Sequence, residues 1–279
     1  MHDYDRSSKW LIQHHGDSIL RLGGVRDIRS WHPLQAEIVQ PRQLPDGLLE
    51  VLLTGQTNPS LFVIEIATYP ELRILEQIAR DMMLVYLDRR VLPEVLTLVL
   101  RPRGTFRLTG VQSLVSPLGW TRCPIQWRVI ELWTLPAEDL LAGDDPGLLP
   151  WVPLTHFSGP REDLLQRCRE RIEAETSAEE RPNLLAVSQV LTRLRYNDPN
   201  LLTILGGSQA MIESPLIQEI VLKHGQEYVL RAARTRFGEI SPKVEREVRG
   251  VQDEKKLAEL LDYTIVGKNL PGFLRKLRA

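Results

Sequence analysis

The stretch that decides the fold is PDGLLEVLLTGQTNPSLFVIEIAT, residues 45–68. Two apolar runs, 48–54 and 61–68, flank the turn-forming segment GQTNPS, which is the pattern of a β-hairpin. The second run is almost wholly apolar and rich in β-branched residues, as is typical of a strand buried on both faces. We therefore predict two paired strands, with 61–68 in the middle of a sheet.

The sequence on either side of this hairpin predicts an α/β fold. Residues 4–22 and 71–89 have the apolar spacing of amphipathic helices. Further predicted strands are 33–40, 91–102, 104–110 and 124–135. A helix, two or three strands, a second helix and more strands in this order favour a mixed sheet flanked by helices.

The second half of the chain is predicted to be helical. A proline-rich connector covers 136–154. The helices predicted beyond it are 160–176, 180–195, 199–212, 214–237, 241–250 and 253–262. The predicted domains are 1–155 with the sheet, a helical connector at 156–230 and a small all-helical C-terminal domain at 231–279.

Composition excludes several classes of protein. Hydrophobic residues make up 43% of the 279 residues and charged residues 25%, so a wholly disordered or fibrous chain is excluded. No run of 18 apolar residues occurs, so no membrane-spanning segment is expected. Cys123 and Cys168 are too few for a zinc cluster or a disulfide framework. Because the N-terminus is polar and unlike a secretory signal, we expect a cytoplasmic protein.

Charge is distributed unevenly along the chain. The net charge is −1, but residues 231–279 carry 12 Lys and Arg against 7 Asp and Glu. A basic C-terminal segment can dock on phosphate groups. The charges also alternate in sign, which favours the alternative interpretation of a solvated helical surface.

Two carboxylates flank the predicted hairpin. Asp46 precedes its first strand, and Glu65 lies near the end of its second. Since a hairpin brings these two ends together, the pair could hold Mg²⁺, a cation that prefers oxygen ligands. Glu65 also interrupts an apolar strand, where an uncompensated charge is costly. The alternative is a turn aspartate before Gly47 and a glutamate paired with one of the many arginines.

The sequence resembles a known family of nucleases. The stretches LPDGLLEVLL, LFVIEIATYPE and EQIARDMMLVYLDRRVLPEVLTLVLRP are similar to the PD-(D/E)xK nuclease superfamily. Within it, they resemble the branch of recombination-promoting nucleases and YhgA-like transposases, over about residues 7–155. Near the C-terminus, RTRFGEISPKVEREV and DEKKLAELLDYTIVGKNLPGFLRKL resemble a small helical domain often fused to this branch, and MIESPLIQEI, 211–220, resembles the usual linking segment.

The resemblance implies a function and a site. It implies a restriction-endonuclease-like fold, a Mg²⁺-dependent DNA endonuclease linked to recombination or mobile elements, and DNA as the partner. Asp46 and Glu65 occupy the positions of the family's metal ligands. A homodimer is also compatible, because cutting both strands of DNA needs two sites.

One position departs from the family pattern. The third motif residue, usually Lys or Gln, is Ala67. The family's lysine is thought to orient or deprotonate the attacking water, which alanine cannot do. Lys9 is the only lysine before Lys223. Gln77 on the following helix is the best candidate for a migrated polar group.

Weaker candidates complete the set of polar side chains considered. Glu50 and Glu76 are less favoured candidates than Gln77 for the migrated polar group. Glu37 lies on the predicted strand 33–40 and could join the metal site. His14 and His15 are adjacent on the first helix and point about 100° apart, so they cannot easily share one metal. Of these two, His14 is predicted at the edge of the core and His15 in solvent.

Three hypotheses therefore remain. The first is an active nuclease that uses Asp46, Glu65 and Gln77, with arginines that position phosphates. The second, favoured by Ala67, is a catalytically inactive relative that binds nucleic acid or a protein. The third is self-association through the C-terminal helices, with the nuclease half as a passenger. The sequence leaves open whether the protein is an enzyme.

Overall fold

The computed structural model describes residues 3–34, 45–117, 119–267 and 269–278. The chain divides into two compact units, Met1–Ala210 and Met211–Ala279. None of the described helices is both long enough and apolar enough to cross a membrane. The three predicted domains, with boundaries after 155 and 230, stay a prediction.

The first unit is an α/β structure with a five-stranded mixed sheet. Its strands, in spatial order, are β1 (Ile28–Leu34), β2 (Gly47–Leu53), β3 (Ser60–Ala67), β4 (Glu94–Val99) and β7 (Arg128–Glu131). Strand β2 is antiparallel to both β1 and β3, whereas β3, β4 and β7 run parallel to one another. The predicted hairpin is confirmed, and its second strand is the central one. A separate two-stranded sheet contains β5 (Val111–Val115) and β6 (Arg122–Gln126).

Helices surround this sheet and continue beyond it. The α-helices up to residue 213 are α1 (Asp3–Leu22), α2 (Arg73–Arg89), α3 (Ala137–Leu141), α4 (Arg161–Glu175), α5 (Arg181–Tyr196), α6 (Pro199–Ile204) and α7 (Gly207–Glu213). Two 3₁₀ segments cover Leu132–Thr134 and Pro146–Leu154. The long helix α1 is kinked at His15, whose φ of −135° and ψ of 34° are not helical.

The hairpin presents one face to α1 and the other to α2. Leu48 pairs with Val63 across the hairpin, and both pack with Ile78 of α2 in one apolar cluster. Neighbouring strand residues point to opposite faces, so Gly47 faces α1, where a Cβ would overlap Cγ2 of Ile12. The close approach of α1 to the start of β2 therefore depends on a glycine.

This contact predicts a stability effect. We expect Gly47→Ala to lower the free energy of unfolding by about 1–3 kcal/mol, because the added methyl group overpacks the α1–β2 contact. Gly143→Ala is the control, since its Cβ would meet nothing closer than 3.8 Å, and we expect a change within about 0.5 kcal/mol. Urea unfolding measures both, and equal stability of the two variants would contradict the packing described.

The region after β4 differs from the prediction. The predicted strand 104–110 is wrong, because this segment pairs with no strand and is bounded by Gly104 and Gly110 at φ of 59° and 69°. The predicted strand 124–135 is interrupted at Trp127, whose backbone N–H donates to Gly110 O at 2.9 Å. Trp127 therefore separates β6 from β7, and the two strands join different sheets.

Three further differences are local. The predicted strand 33–40 overlaps β1 only at 33 and 34; the rest, including Glu37, lies outside the described residues. His14 is exposed and His15 is mostly buried, the reverse of the prediction, because the kink turns α1 at this point. The predicted helix 199–212 is two helices, since Gly206 adopts a φ of 95° between α6 and α7.

Helices form the described part of the second unit beyond α7. They are α8 (Pro215–Phe237), α9 (Pro242–Arg249), α10 (Glu254–Val266) and α11 (Leu270–Arg278). Phe273 of α11 is fully buried and belongs to an apolar cluster with Leu230 of α8, Val248 of α9 and Leu260 of α10. This unit thus has a core of its own.

Candidate functional site

The hairpin brings Asp46 against the end of β3. Asp46 lies directly before β2, whose register pairs Gly47 with Ile64. The Oδ2 of Asp46 accepts a hydrogen bond of 2.9 Å from the backbone N–H of Ile66, the residue after Glu65. The two predicted metal ligands, Asp46 and Glu65, are thus neighbours across the hairpin. The backbone of β3, which carries Glu65, orients the side chain of Asp46.

Glu65 is a buried acid with an incomplete set of partners. Its side chain is only 3% exposed. The amide Nε2 of Gln77, on α2, donates a hydrogen bond of 2.5 Å to Glu65 Oε2. The other oxygen, Oε1, is buried and has no hydrogen-bond partner. The structure therefore places all three predicted site residues together, with Gln77 as the residue that orients Glu65.

A third acid, Asp81, belongs to the same cluster and was missed by the sequence analysis. It follows Gln77 by four residues on α2, so the two side chains share a helix face. Asp81 is fully buried, and its Oδ1 accepts a hydrogen bond of 2.9 Å from Arg80 Nε. Its Oδ2 has no partner. The available signal was an aspartate on the apolar side of α2, between Ile78 and Val85, but isolated acids in amphipathic helices are usually solvated.

These neighbours change the acidity of Glu65. Burial raises its pKa well above the ordinary value of 4.5, and the negative charge of Asp46 raises it further. Contact with the Asp81 carboxyl group acts in the same direction. The carboxyl group of Glu65 consequently resists ionisation in the isolated protein. A nearby cation would help it to ionise.

A cation of the chain reaches the other acid of the pair. The ammonium of Lys9, on α1, lies 3.3 Å from Asp46 Oδ1. The Lys9 side chain is 31% exposed and that of Asp46 15% exposed, so this ion pair is partly open to solvent. Side chains from α1, β3 and α2 and the residue before β2 therefore meet at one end of the hairpin.

Ala67 offers no polar group at this point, and the structure places Glu50 and Glu76 elsewhere. Ala67 ends β3 and packs against the apolar cluster on the α2 side of the sheet. It shares a strand face with Glu65, which contacts α2 through Gln77. Glu50 lies half-buried four residues along the hairpin from Asp46, and Glu76 is exposed. The Lys or Gln side chain that the family pattern expects at position 67 therefore has no substitute at that position of β3.

The residues at this site fit a hard divalent cation. Two buried carboxylate oxygens, Glu65 Oε1 and Asp81 Oδ2, have no donor, and the two acids are in contact, so they require either a shared proton or a cation. Among the described residues, no group of three or more His, Cys, Asp and Glu side chains is arranged as a metal cage. Mg²⁺ needs no cage, because it is commonly held by one or two carboxylates and keeps several waters.

No family model, curated protein or solved structure matches this chain.

Proposed function

We propose that Asp46 and Glu65 bind Mg²⁺ and that the protein is a DNA endonuclease of the PD-(D/E)xK type, linked to recombination or mobile elements. The observation that carries this proposal is the buried Glu65 carboxylate beside Asp46 and Asp81, with one oxygen unpartnered. A cation beside Glu65 would allow this buried acid to ionise next to Asp46 and Asp81, which are already paired with Lys9 and Arg80.

Different residues of this site have different roles. The Ile66 N–H orients Asp46, and Gln77 orients Glu65, so each of the two acids has an uncharged hydrogen-bond donor, while Asp46 also pairs with Lys9. Preorganised ligands of this kind bind a metal without first reorganising. A divalent cation held there would neutralise charge on a phosphodiester and lower the pKa of water. Asp81 adds negative charge behind Glu65 and strengthens the attraction for a cation.

Arginines near the same end of the sheet suit a phosphate backbone. Arg103 stacks over the ring of Tyr69, 5.4 Å from its centroid, and Tyr69 follows β3 by two residues. The Nη1 atom of Arg103 lies 3.0 Å from Glu71 Oε1, an ion pair that holds the guanidinium in place. The Arg103 side chain is still 66% exposed. A contact of Arg103 with a phosphate would fix the register of a nucleic acid without reading its bases.

Ala67 favours a second candidate function, that of a catalytically inactive protein with a nuclease-like fold. Its methyl group packs among apolar side chains and offers nothing to a water molecule. In that case the same scaffold would bind nucleic acid or a partner protein without cutting.

Two assays separate these functions. Purified protein is incubated with supercoiled plasmid DNA in Mg²⁺ or in EDTA, and we expect nicked or linear DNA only with Mg²⁺. Intact plasmid under both conditions would contradict the nuclease proposal. A gel shift in EDTA then identifies an inactive DNA-binding protein if the DNA is retarded, and it excludes DNA as the partner if the DNA migrates freely.

A further inference from the structure

We propose that Lys9 supplies the positive charge that Ala67 does not, holding its ammonium against Asp46 from α1 so that it faces the phosphate to be cut. This inference rests on the proposed function and adds a residue from a different element of the fold to it. It also assigns Gln77 a different role, because Gln77 is engaged with Glu65.

The position of the ammonium is the first argument. Lys9 Nζ is 3.3 Å from Asp46 Oδ1, on the carboxylate whose other oxygen accepts from Ile66 N–H. A ligand bound by Asp46 would therefore lie within a few ångströms of this ammonium. Since the Lys9 side chain is 31% exposed, a substrate phosphate can approach it without unfolding α1.

The packing of α1 against β2 fixes the position of Lys9. Ile12 follows Lys9 by three residues, so the two side chains project from neighbouring positions on one helix face. Ile12 is 1% exposed and packs against Gly47, which has no side chain to exclude it. Gly47 is the residue directly after Asp46. The contact that fixes α1 against β2 therefore also fixes Lys9 beside Asp46, and the ion pair is built into the packing of the fold.

The chemistry is the third argument. Negative charge shifts to the phosphate oxygens and the leaving oxygen as a phosphodiester is cut, and a fixed positive charge there stabilises the transition state. Arg80 is the other cation of the cluster, but it contacts Asp81 on α2. Lys9 is also the only lysine before Lys223, so no other lysine among the first 222 residues can serve the site.

The test compares Lys9→Met with the wild type and with Arg21→Met. Arg21 is a matched control, because it is also an α1 cation paired with carboxylates, those of Asp17 and Asp145. We expect Lys9→Met to lower kcat for Mg²⁺-dependent cleavage by about 100-fold, the usual effect of removing one charge-stabilising group. Arg21→Met should cleave like the wild type. Thermal melts show that each variant is folded.

Mg²⁺ affinity, measured by titration calorimetry, gives a readout that does not depend on cleavage. We expect Lys9→Met to bind Mg²⁺ at least as tightly as the wild type, because a competing cation has been removed from Asp46. Recovery of cleavage in Lys9→Met/Ala67→Lys would place the ammonium back at the site from β3 and support the inference.

Several outcomes would overturn it. Cleavage by Lys9→Met within about threefold of the wild type shows that the ammonium is not needed. A loss of Mg²⁺ affinity that matches the loss of cleavage makes Lys9 only a structural partner of Asp46. Either result leaves the proposed function standing, whereas a wild type that neither binds Mg²⁺ nor cuts DNA removes both.

Discussion

Asp46→Asn should abolish Mg²⁺-dependent cleavage, lowering its rate by about 100- to 1,000-fold. Asparagine keeps the size of the side chain and can still accept the hydrogen bond from Ile66 N–H. It loses the negative charge that pairs with Lys9 and that would hold the cation. The fold should therefore survive, and the loss should be specific to the metal-dependent step. Initial rates of plasmid nicking over a range of Mg²⁺ concentrations measure it.

Glu50→Gln is the matched control for this experiment. Glu50 is an acid of β2 in the same hairpin, but it lies four residues beyond Asp46, roughly 13 Å along an extended strand. We expect its amide variant to cleave at the wild-type rate. Equal loss in Glu50→Gln and Asp46→Asn would mean that overall charge matters and that no defined site exists.

Glu65→Gln should stabilise the protein in EDTA at pH 8, by about 1–3 kcal/mol, the cost of leaving a buried polar group unsatisfied. The sign follows from the raised pKa of Glu65, which results from burial first and then from Asp46 and Asp81. Folding favours the protonated form, so stability is highest below the unfolded pKa of about 4.5 and falls as pH rises through the folded pKa. Glutamine stays neutral throughout, so the difference between the proteins should shrink toward pH 5.

Melting temperatures from pH 5 to pH 8 measure this difference, at about 2–4 °C per kcal/mol. Glu76→Gln is the control, because Glu76 is exposed on α2 and its removal should leave the pH dependence unchanged. Adding Mg²⁺ at pH 8 should stabilise the wild type more than Glu65→Gln, because the variant binds the cation more weakly. A wild type that is more stable than Glu65→Gln in EDTA at pH 8 would contradict the account of this carboxyl group.

The hairpin and the helix after it could be predicted from the sequence because their signals are local. Turn formers at 55–60 separate two apolar runs, and the structure has β2 and β3 within one residue of the predicted bounds at either end. The apolar spacing of residues 71–89 likewise predicted the helix, but its predicted apolar face was only partly right: Ile78 and Ala79 are buried, whereas Leu72 and Tyr86 are exposed. The same topology explains why Asp46 and Glu65 could be paired from spacing alone, since a hairpin fixes which ends meet.

The rest of the site depends on contacts between elements distant in the sequence. Lys9 reaches Asp46 only because α1 packs against Gly47, and nothing in residues 1–22 indicates that contact. Asp81 could not be told from a solvated acid until α2 was placed on the sheet. The strand predicted at 104–110 failed for a related reason, because its alternating pattern is local while pairing requires a partner strand.

The central claim, a cation site formed by Asp46 and Glu65, is tested most directly by titrating the purified protein with Mg²⁺ in a calorimeter. The wild type should bind saturably with one Mg²⁺ per chain, and Glu65→Gln should bind at least about tenfold more weakly. Binding should also release protons from Glu65, so the heat measured should differ between Tris and HEPES buffers for the wild type alone. No saturable binding by the wild type, or equal affinity in Glu65→Gln, would contradict the account.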